Sequence, residues 1–185
     1  LIGTYCYAGE RKYTVDSPDG KIQLAIIQTD AGELTYQLSV KRKQVIDASA
    51  LGFKTEDGLT FPFRGWKMGK VTRNKVNSVW KPLWGKRAVV PDKYNEMKLS
   101  FVNEAKSSDA LEVVARAYNE GVAFRYVSPQ DAGSALELTT FNFAGDYTAW
   151  FYNGERHNIG PERLTETDGE RLPVMTVKAA DDLYL

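Results

Sequence analysis

The side chains that could perform acid–base or nucleophilic chemistry in this sequence are mostly carboxylates. Two positioned carboxylates can act as acid and base in hydrolysis, but adjacent acids such as Asp181-Asp182, or the spaced pair Glu166/Asp168, are typical of exposed loops. Nothing in the sequence places two carboxylates on either side of a cleft. We therefore assign no catalytic acid, base or nucleophile.

The single histidine and the single cysteine exclude further chemistries. His157 alone cannot build a multi-histidine metal site, and no Gly-x-Ser-x-Gly segment accompanies it. Cys6 alone can form neither an intramolecular disulfide nor a cysteine zinc site. A loop histidine beside charged residues is typical of a surface, so we assign no metal ligand.

Residues 80–87 (WKPLWGKR) are the first candidates for a binding surface. Trp80 and Trp84 are separated by a proline, so the segment cannot be the interior of an ordinary strand or helix. An exposed indole next to Arg87 could stack on a sugar ring or on a partner domain. Buried rings would instead close the end of the fold. We expect at least one of the two rings to be buried.

A second candidate segment is residues 141–150 (FNFAGDYTAW), which is rich in aromatic side chains. Asn142 and Asp146 are its polar candidates for contact with a substrate or with a neighbouring domain. A plain β-hairpin with a Gly-Asp turn explains the segment without any ligand.

The elements that must position these residues are strands. Alternating apolar and polar residues predict strands of period two at residues 22–27 and 34–40, joined by a turn at 29–32. Further strands are predicted at 97–101, 111–115, 122–126, 147–152, 174–177 and 183–185, whereas residues 53–92 are weakly patterned. Helical evidence is limited to one turn near Pro161. The pattern predicts an all-β fold of packed antiparallel sheets.

Length and charge narrow the class of protein. With 185 residues, 24 basic and 24 acidic, the chain can form one substantial domain and has no basic surface for nucleic acid. No run of about 18 apolar residues predicts a membrane helix. Residues 1–12 are either the remnant of a signal peptide or a first strand, and residues 13–185 are predicted to be the β-sandwich domain.

Six segments together resemble the N-terminal domain of glycoside hydrolase family 97, the α-glucosidases and α-galactosidases typical of gut and environmental Bacteroidetes. They are SPDGK (17–21), SALG (49–52), WKPLWG (80–85), YNE (94–96), GVAFRY (121–126) and the segment 141–150, and they occur in the family's order. The family often has an acidic residue where this chain has Lys86, so an ion pair at that position is not carried over.

The resemblance implies a galactose-mutarotase-like β-supersandwich packed against a (β/α)8 catalytic barrel. The acid, base and nucleophile of the family lie on that barrel, which hydrolyses α-glucosides or α-galactosides, so we expect the 185 residues alone to be inactive. The family is calcium-dependent, and the glutamate that the sandwich supplies is expected just after Leu185. The implied partners are the barrel and an oligosaccharide substrate, and the implied location is periplasmic or secreted.

Two other functions stay open. A stand-alone carbohydrate-binding module would use the tryptophans of residues 80–87 against sugar. An aldose-mutarotase-like enzyme would need two histidines with a carboxylate, and this chain has only His157.

Overall fold

A computed structural model describes residues 10–56, 58, 60–62, 66–104, 110–128, 133–152, 154, 158–169 and 172–185. Apart from one 3-10 turn at Leu164–Glu166, the regular elements of these residues are strands. The strands are β1 (Arg11–Asp16), β2 (Ile22–Gln28), β3 (Leu34–Val40), β4 (Lys43–Leu51), β5 (Phe53–Thr55), β6 (Thr60–Phe61), β7 (Trp66–Trp80), β8 (Val90–Asn103), β9 (Ala110–Tyr118), β10 (Val122–Val127), β11 (Ala135–Glu137), β12 (Thr148–Tyr152), β13 (Asn158–Arg163), β14 (Leu172–Ala180) and β15 (Leu183–Tyr184).

The described residues form two compact units, and the larger one ends at Phe141. Two of its sheets have four strands each, in the orders β1-β2-β3-β4 and β10-β9-β8-β7, and a third has the order β11-β5-β6. All of the strand pairs are antiparallel. Because β1 and β2 lie against β8 and β9, the two four-stranded sheets pack face to face as a sandwich.

Alternation along the strands builds the core of the larger unit. In β8 the side chains of Met97, Leu99 and Phe101 are at most 1% exposed, and the facing side chains of Leu24 and Ile26 in β2 are fully buried. Period-two patterns place one face of each sheet in this core. An aromatic cluster continues the core towards β5 and β6, and its members are Phe53, Phe61, Trp66, Phe101 and Tyr126.

Polar side chains also join the two four-stranded sheets to each other. The turn after β1 is closed by the Asp19 carboxylate, which accepts hydrogen bonds from the Ser17 hydroxyl at 2.6 Å and from the Lys21 amide at 3.1 Å. The Ser17 hydroxyl and the Lys21 amide lower the pKa of Asp19 to about 2. The backbone amide of Asp19 donates to Asn119 Oδ1 at 3.0 Å, and this bond joins the turn to the β9–β10 turn.

The smaller unit, Asn142–Leu185, is built around one sheet with the order β13-β12-β14-β15. Its buried centre consists of Ala149, Phe151 and Val177, against which Ile159 and Leu185 pack. β12 pairs with both β13 and β14, so the aromatic strand predicted at residues 147–152 is the middle of this sheet.

The predicted all-β antiparallel class is confirmed, as are the β2–β3 hairpin and the inward faces of β8 and β9. The weakly patterned stretch 53–92, in which no strand was predicted, contains β7, a strand of 15 residues. One prediction was wrong. Residues 141–150 are not a plain hairpin, because strand structure begins only at Thr148 after an isolated bridge at Phe143. No helix in the described part of the chain is long and apolar enough to cross a membrane.

Several earlier predictions concern residues outside the described ones. These are the assignment of residues 1–12 to a signal peptide or a first strand, of which residues 1–9, including Cys6, are not described, and the surface position of His157.

Gly52 tests how tightly the motif at residues 49–52 packs. A Cβ at this position would lie 2.4 Å from the carbonyl oxygen of Phe61, a backbone atom that cannot turn away. We expect Gly52→Ala to lower the free energy of unfolding by about 1–3 kcal/mol in urea melts, as overpacking does. Gly121→Ala is the matched control, because a Cβ there would meet nothing within 4 Å. Equal stability of the two variants would contradict the tight contact.

Candidate functional site

The candidate site is a two-stranded ribbon that extends beyond the sandwich. The pairing of β7 with β8 continues to Trp80↔Val90, whereas the pairing of β9 with β8 ends at Tyr94↔Tyr118. Within the described residues, no third strand pairs with this ribbon. We call residues 77–93 the arm. Its four paired residues on each strand extend about 13 Å past the end of β9, and residues 81–89 form its tip.

The arm exposes large apolar side chains. Trp84 is 88% exposed and Leu83 is fully exposed, while Trp80, at the end of β7, is 54% exposed. Val79 and Val89 are exposed as well. The expectation that one of the two indole rings is buried was therefore wrong. The reason is geometric: the ribbon extends past the last paired residue of β9, so its side chains lie beyond the sandwich core.

The restricted backbone of the tip and the net charge of the arm suit a contact surface. Pro82 restricts the chain, and Gly85 has a φ of +125°, which favours glycine. Arg87, predicted as a contact residue, lies exposed on the tip. The arm carries four basic residues and one acidic residue, Asp92, which gives a net charge of +3 in a chain whose formal net charge is zero.

A cluster of polar and aromatic side chains supports the base of the arm. The Arg116 guanidinium lies 4.3 Å from the ring centroid of Tyr94, and its Nε donates to Glu96 Oε2 at 2.8 Å. The rings of Tyr94 and Tyr118 are 5.0 Å apart. Burial raises the pKa of the Tyr94 phenol. The cluster lies where β9 ends. It therefore stiffens the β7–β8 ribbon at the point beyond which no third strand is paired with it among the described residues.

Strand alternation places Trp80 on the same face of the ribbon as this cluster. Trp80 and Tyr94 are paired, respectively, with Val90 and Val76, and no register shift occurs between these positions. Side chains an even number of residues apart share one face of a strand. The arm and its base therefore present one continuous face, which carries an exposed indole at its outer end.

Asp146 is held by the smaller unit's own residues. Its carboxylate accepts hydrogen bonds from Arg163 Nε at 2.5 Å, from the Thr165 amide at 3.0 Å and from the Thr165 hydroxyl at 2.9 Å. These bonds tie the segment before β12 to the end of β13 and to the turn that follows it. The side chain thus stabilises a local structure, while Asn142 lies exposed at the start of the same unit. Contact of either residue with a substrate or a domain stays a prediction.

Among the described residues, no three His, Cys, Asp or Glu side chains lie close enough together to hold a metal ion. Sequence reasoning did not single out Val79 and Val89 as part of the exposed surface, whereas Leu83 lies within the predicted segment 80–87. The sequence signal that could have found these residues is a short apolar run on each side of the turn that contains Pro82 and Gly85.

Comparisons with known proteins agree with this architecture. The family model described as Glycosyl-hydrolase 97 N-terminal matches residues 15–179. The chain therefore belongs to the family of N-terminal domains of glycoside hydrolase family 97, as the resemblance predicted.

Its curated relatives are longer proteins. A retaining alpha-galactosidase from Bacteroides thetaiotaomicron is 22% identical over 93% of this chain and 27% of its own length. A probable retaining alpha-galactosidase from Streptomyces bingchenggensis is 30% identical over 83% of this chain and 24% of its own length. The chain thus spans about a quarter of the length of these relatives.

Solved structures give the same relation. A glycoside hydrolase family 97 enzyme from Pseudoalteromonas sp. strain K8, solved in complexes with panose and with acarbose, is 34% identical with a TM-score of 0.66. The match covers 76% of this chain and 22% of that enzyme. A beta-arabinopyranosidase is 26% identical with a TM-score of 0.63, over 75% of this chain and 22% of that protein.

The exposure of Trp84 makes a prediction for the 185-residue chain. Trp84→Ala should change the free energy of unfolding by less than about 0.5 kcal/mol, because the ring contributes no burial. Trp66→Ala is the contrasting variant: its ring is 4% exposed, so its loss should cost about 3–5 kcal/mol. Urea melts followed by circular dichroism measure both values. A loss at Trp84 as large as that at Trp66 would place its ring in a core.

The contacts of Asp146 predict an acid dependence. The Thr165 amide and the Arg163 guanidinium hold the pKa of the Asp146 carboxyl below its ordinary value of 3.8. The carboxylate therefore stabilises the fold above that value, and this stabilisation is lost as the pH falls through the lower pKa of the folded state. The amide proton shift of Thr165 should titrate with a midpoint below 3.8, and Asp146→Asn should abolish the titration. A midpoint at or above 3.8 would contradict these contacts.

Proposed function

We propose that this chain is a non-catalytic β-sandwich domain of a family 97 α-glycosidase, and that its arm docks on the catalytic (β/α)8 barrel of the same polypeptide. The observation that carries this proposal is the exposure of Trp84 and Leu83 at the tip of the arm. The lengths of the relatives support it, because about three quarters of each lies outside the part that matches this chain.

The energetics of the arm favour a partner. A two-stranded ribbon is only marginally stable alone in water, and clustered exposed apolar side chains mark interaction surfaces. Aromatic and arginine anchors at the centre of such surfaces contribute most of the binding energy. The arm has both, in Trp84 and Arg87. Since its net charge is +3, the complementary surface of the barrel is apolar with carboxylates at its rim.

The names and ligands of the relatives support a substrate class. Two curated relatives are named alpha-galactosidases, and the Pseudoalteromonas enzyme was solved with panose and with acarbose. We infer that the whole enzyme hydrolyses α-glucosides or α-galactosides and that the reacting carboxylates lie on the barrel. Calcium, and a periplasmic or secreted location, are part of the same proposal and rest on the family resemblance.

A stand-alone carbohydrate-binding module is the second candidate function. The exposed indole of Trp84 supports it as well, because a sugar ring can stack on the same face, whereas the fully exposed Leu83 beside it favours docking on a protein surface. The two functions differ in what Trp84→Ala changes: the affinity of the 185-residue chain for oligosaccharide, or the properties of the whole enzyme.

The first test concerns activity. The purified 185-residue chain should show no turnover of aryl α-glucosides or aryl α-galactosides, because general acid–base hydrolysis needs two positioned carboxylates. Release of the aryl group measured by absorbance, with the whole enzyme as positive control, decides the point. Turnover by the chain that disappears on one Asp or Glu substitution would overturn the non-catalytic role.

The second test concerns docking. Trp84→Ala in the whole enzyme should lower its stability by about 2 kcal/mol or more, as loss of a central interface tryptophan does, while the same change in the 185-residue chain has little effect. Leu136→Ala is the matched control, because Leu136 is 65% exposed on β11 rather than on the arm. An unchanged whole enzyme, combined with lost oligosaccharide affinity of the chain, would favour the binding module.

A further inference from the structure

A cavity of 600 Å³ lies in the larger unit at the start of β7, the end of that strand away from the arm. This volume is in the range of small-molecule sites. Its walls come from the start of β1, the end of β2 with the turn that follows, the start of β7 and the residue after β8. The lining residues are Arg11, Gln28, Thr29, Asp30, Ala31, Gly32, Trp66, Lys67, Met68 and Glu104.

A buried amide faces this cavity. Gln28 is only 8% exposed, and its Nε2 donates a long hydrogen bond of 3.4 Å to the carbonyl oxygen of Trp66. Its Oε1 accepts no hydrogen bond from the described residues. A buried acceptor without a partner is costly, and most such groups in folded proteins are bonded to protein, water or ligand. A donor group of a bound molecule would satisfy it.

The charges around the amide indicate which molecule fits. Two cationic side chains, Arg11 and Lys67, and two anionic ones, Asp30 and Glu104, line the cavity, so their formal charges cancel. Lys67 and Glu104 also pair with each other. A lining of zero net charge favours neither an anion nor a cation, but it offers both donors and acceptors to a neutral molecule with several hydroxyl groups.

The other walls supply an apolar surface and a fixed frame. Trp66 and Met68 line the cavity, and the Trp66 ring is held edge-on by Phe61 at 5.2 Å between centroids. The turn after β2 is closed by a hydrogen bond from the Gly32 amide to the Thr29 carbonyl at 2.9 Å. Little ordering is needed when such a preformed site binds a ligand.

We propose that this cavity binds one neutral pyranose residue of a saccharide, with Gln28 as the central hydrogen-bonding group. A pyranose has hydroxyl groups that both donate and accept and an apolar ring face that can lie against the partly exposed Met68. The proposal goes beyond docking by the arm and rests on different residues, so either can fail without the other.

The test is a titration of the 185-residue chain with methyl α-D-glucopyranoside and methyl α-D-galactopyranoside, followed by NMR at the Gln28 side-chain amide and at the backbone amides of residues 29–32, which every variant retains. At least one of the two glycosides should shift these signals in a saturable way, with a dissociation constant in the millimolar range. Gln28→Met should weaken binding by up to about tenfold, the loss expected for one or two neutral hydrogen bonds. Gln23→Met, on the same strand but outside the cavity lining, is the matched control and should keep the affinity.

Further variants and ligands keep the test decisive. If Gln28→Met does not fold, Asp30→Asn on the exposed turn should weaken binding by about threefold instead. Glucuronate or glucosamine binding more tightly than the neutral glycosides would overturn the proposal. So would the absence of shifts up to about 50 mM, or an affinity that Gln28→Met or Asp30→Asn leaves unchanged. Trp84→Ala should leave the affinity intact, and its loss in that variant would move the site to the arm.

Discussion

Burial of one face of β8 is the interaction on which the larger unit depends. Met97, Leu99 and Phe101 fill the core between the two four-stranded sheets, and both edges of the strand are paired. The same strand continues past β9 and carries the return half of the arm. The hydrophobic burial that stabilises the sandwich therefore also anchors the ribbon, and the cluster of Arg116 and Tyr94 stiffens it where the third strand ends.

The six segments that resemble the family have different physical roles. Residues 17–21 and 94–96 hold the two sheets together: Asp19 closes a turn and is bonded to Asn119, while Asn95 Nδ2 donates to the carbonyl oxygen of Asp16 at 2.7 Å. Gly52 lets β5 approach the backbone of Phe61. Residues 80–85 have no such role within the described chain, because most of their side chains are exposed. This contrast supports a function of that segment outside the sandwich.

The arm and the cavity lie at opposite ends of β7, and their side chains suit different kinds of partner. The arm is apolar, cationic and exposed, as expected of a surface that meets another folded domain. The cavity combines a buried amide, balanced charges and an apolar contact at Met68, as expected of a site for a small polar molecule. One edge strand of 15 residues thus positions both features. Its many charged side chains also protect the exposed edge of the sheet from pairing with other chains.

The sequence by itself determined the all-β class, most of the strands and the buried residues of β2, β3, β8 and β9, because a strand with one buried face shows apolar residues at every second position. It could not reveal β7, since most of the side chains of this edge strand are exposed and show no alternation. Only the tertiary structure decided that Trp80 and Trp84 are exposed, because that depends on where β9 stops. It also decided that Asp146 bonds to Arg163 and Thr165 and that Gln28 faces Trp66, since these contacts join residues far apart in the chain.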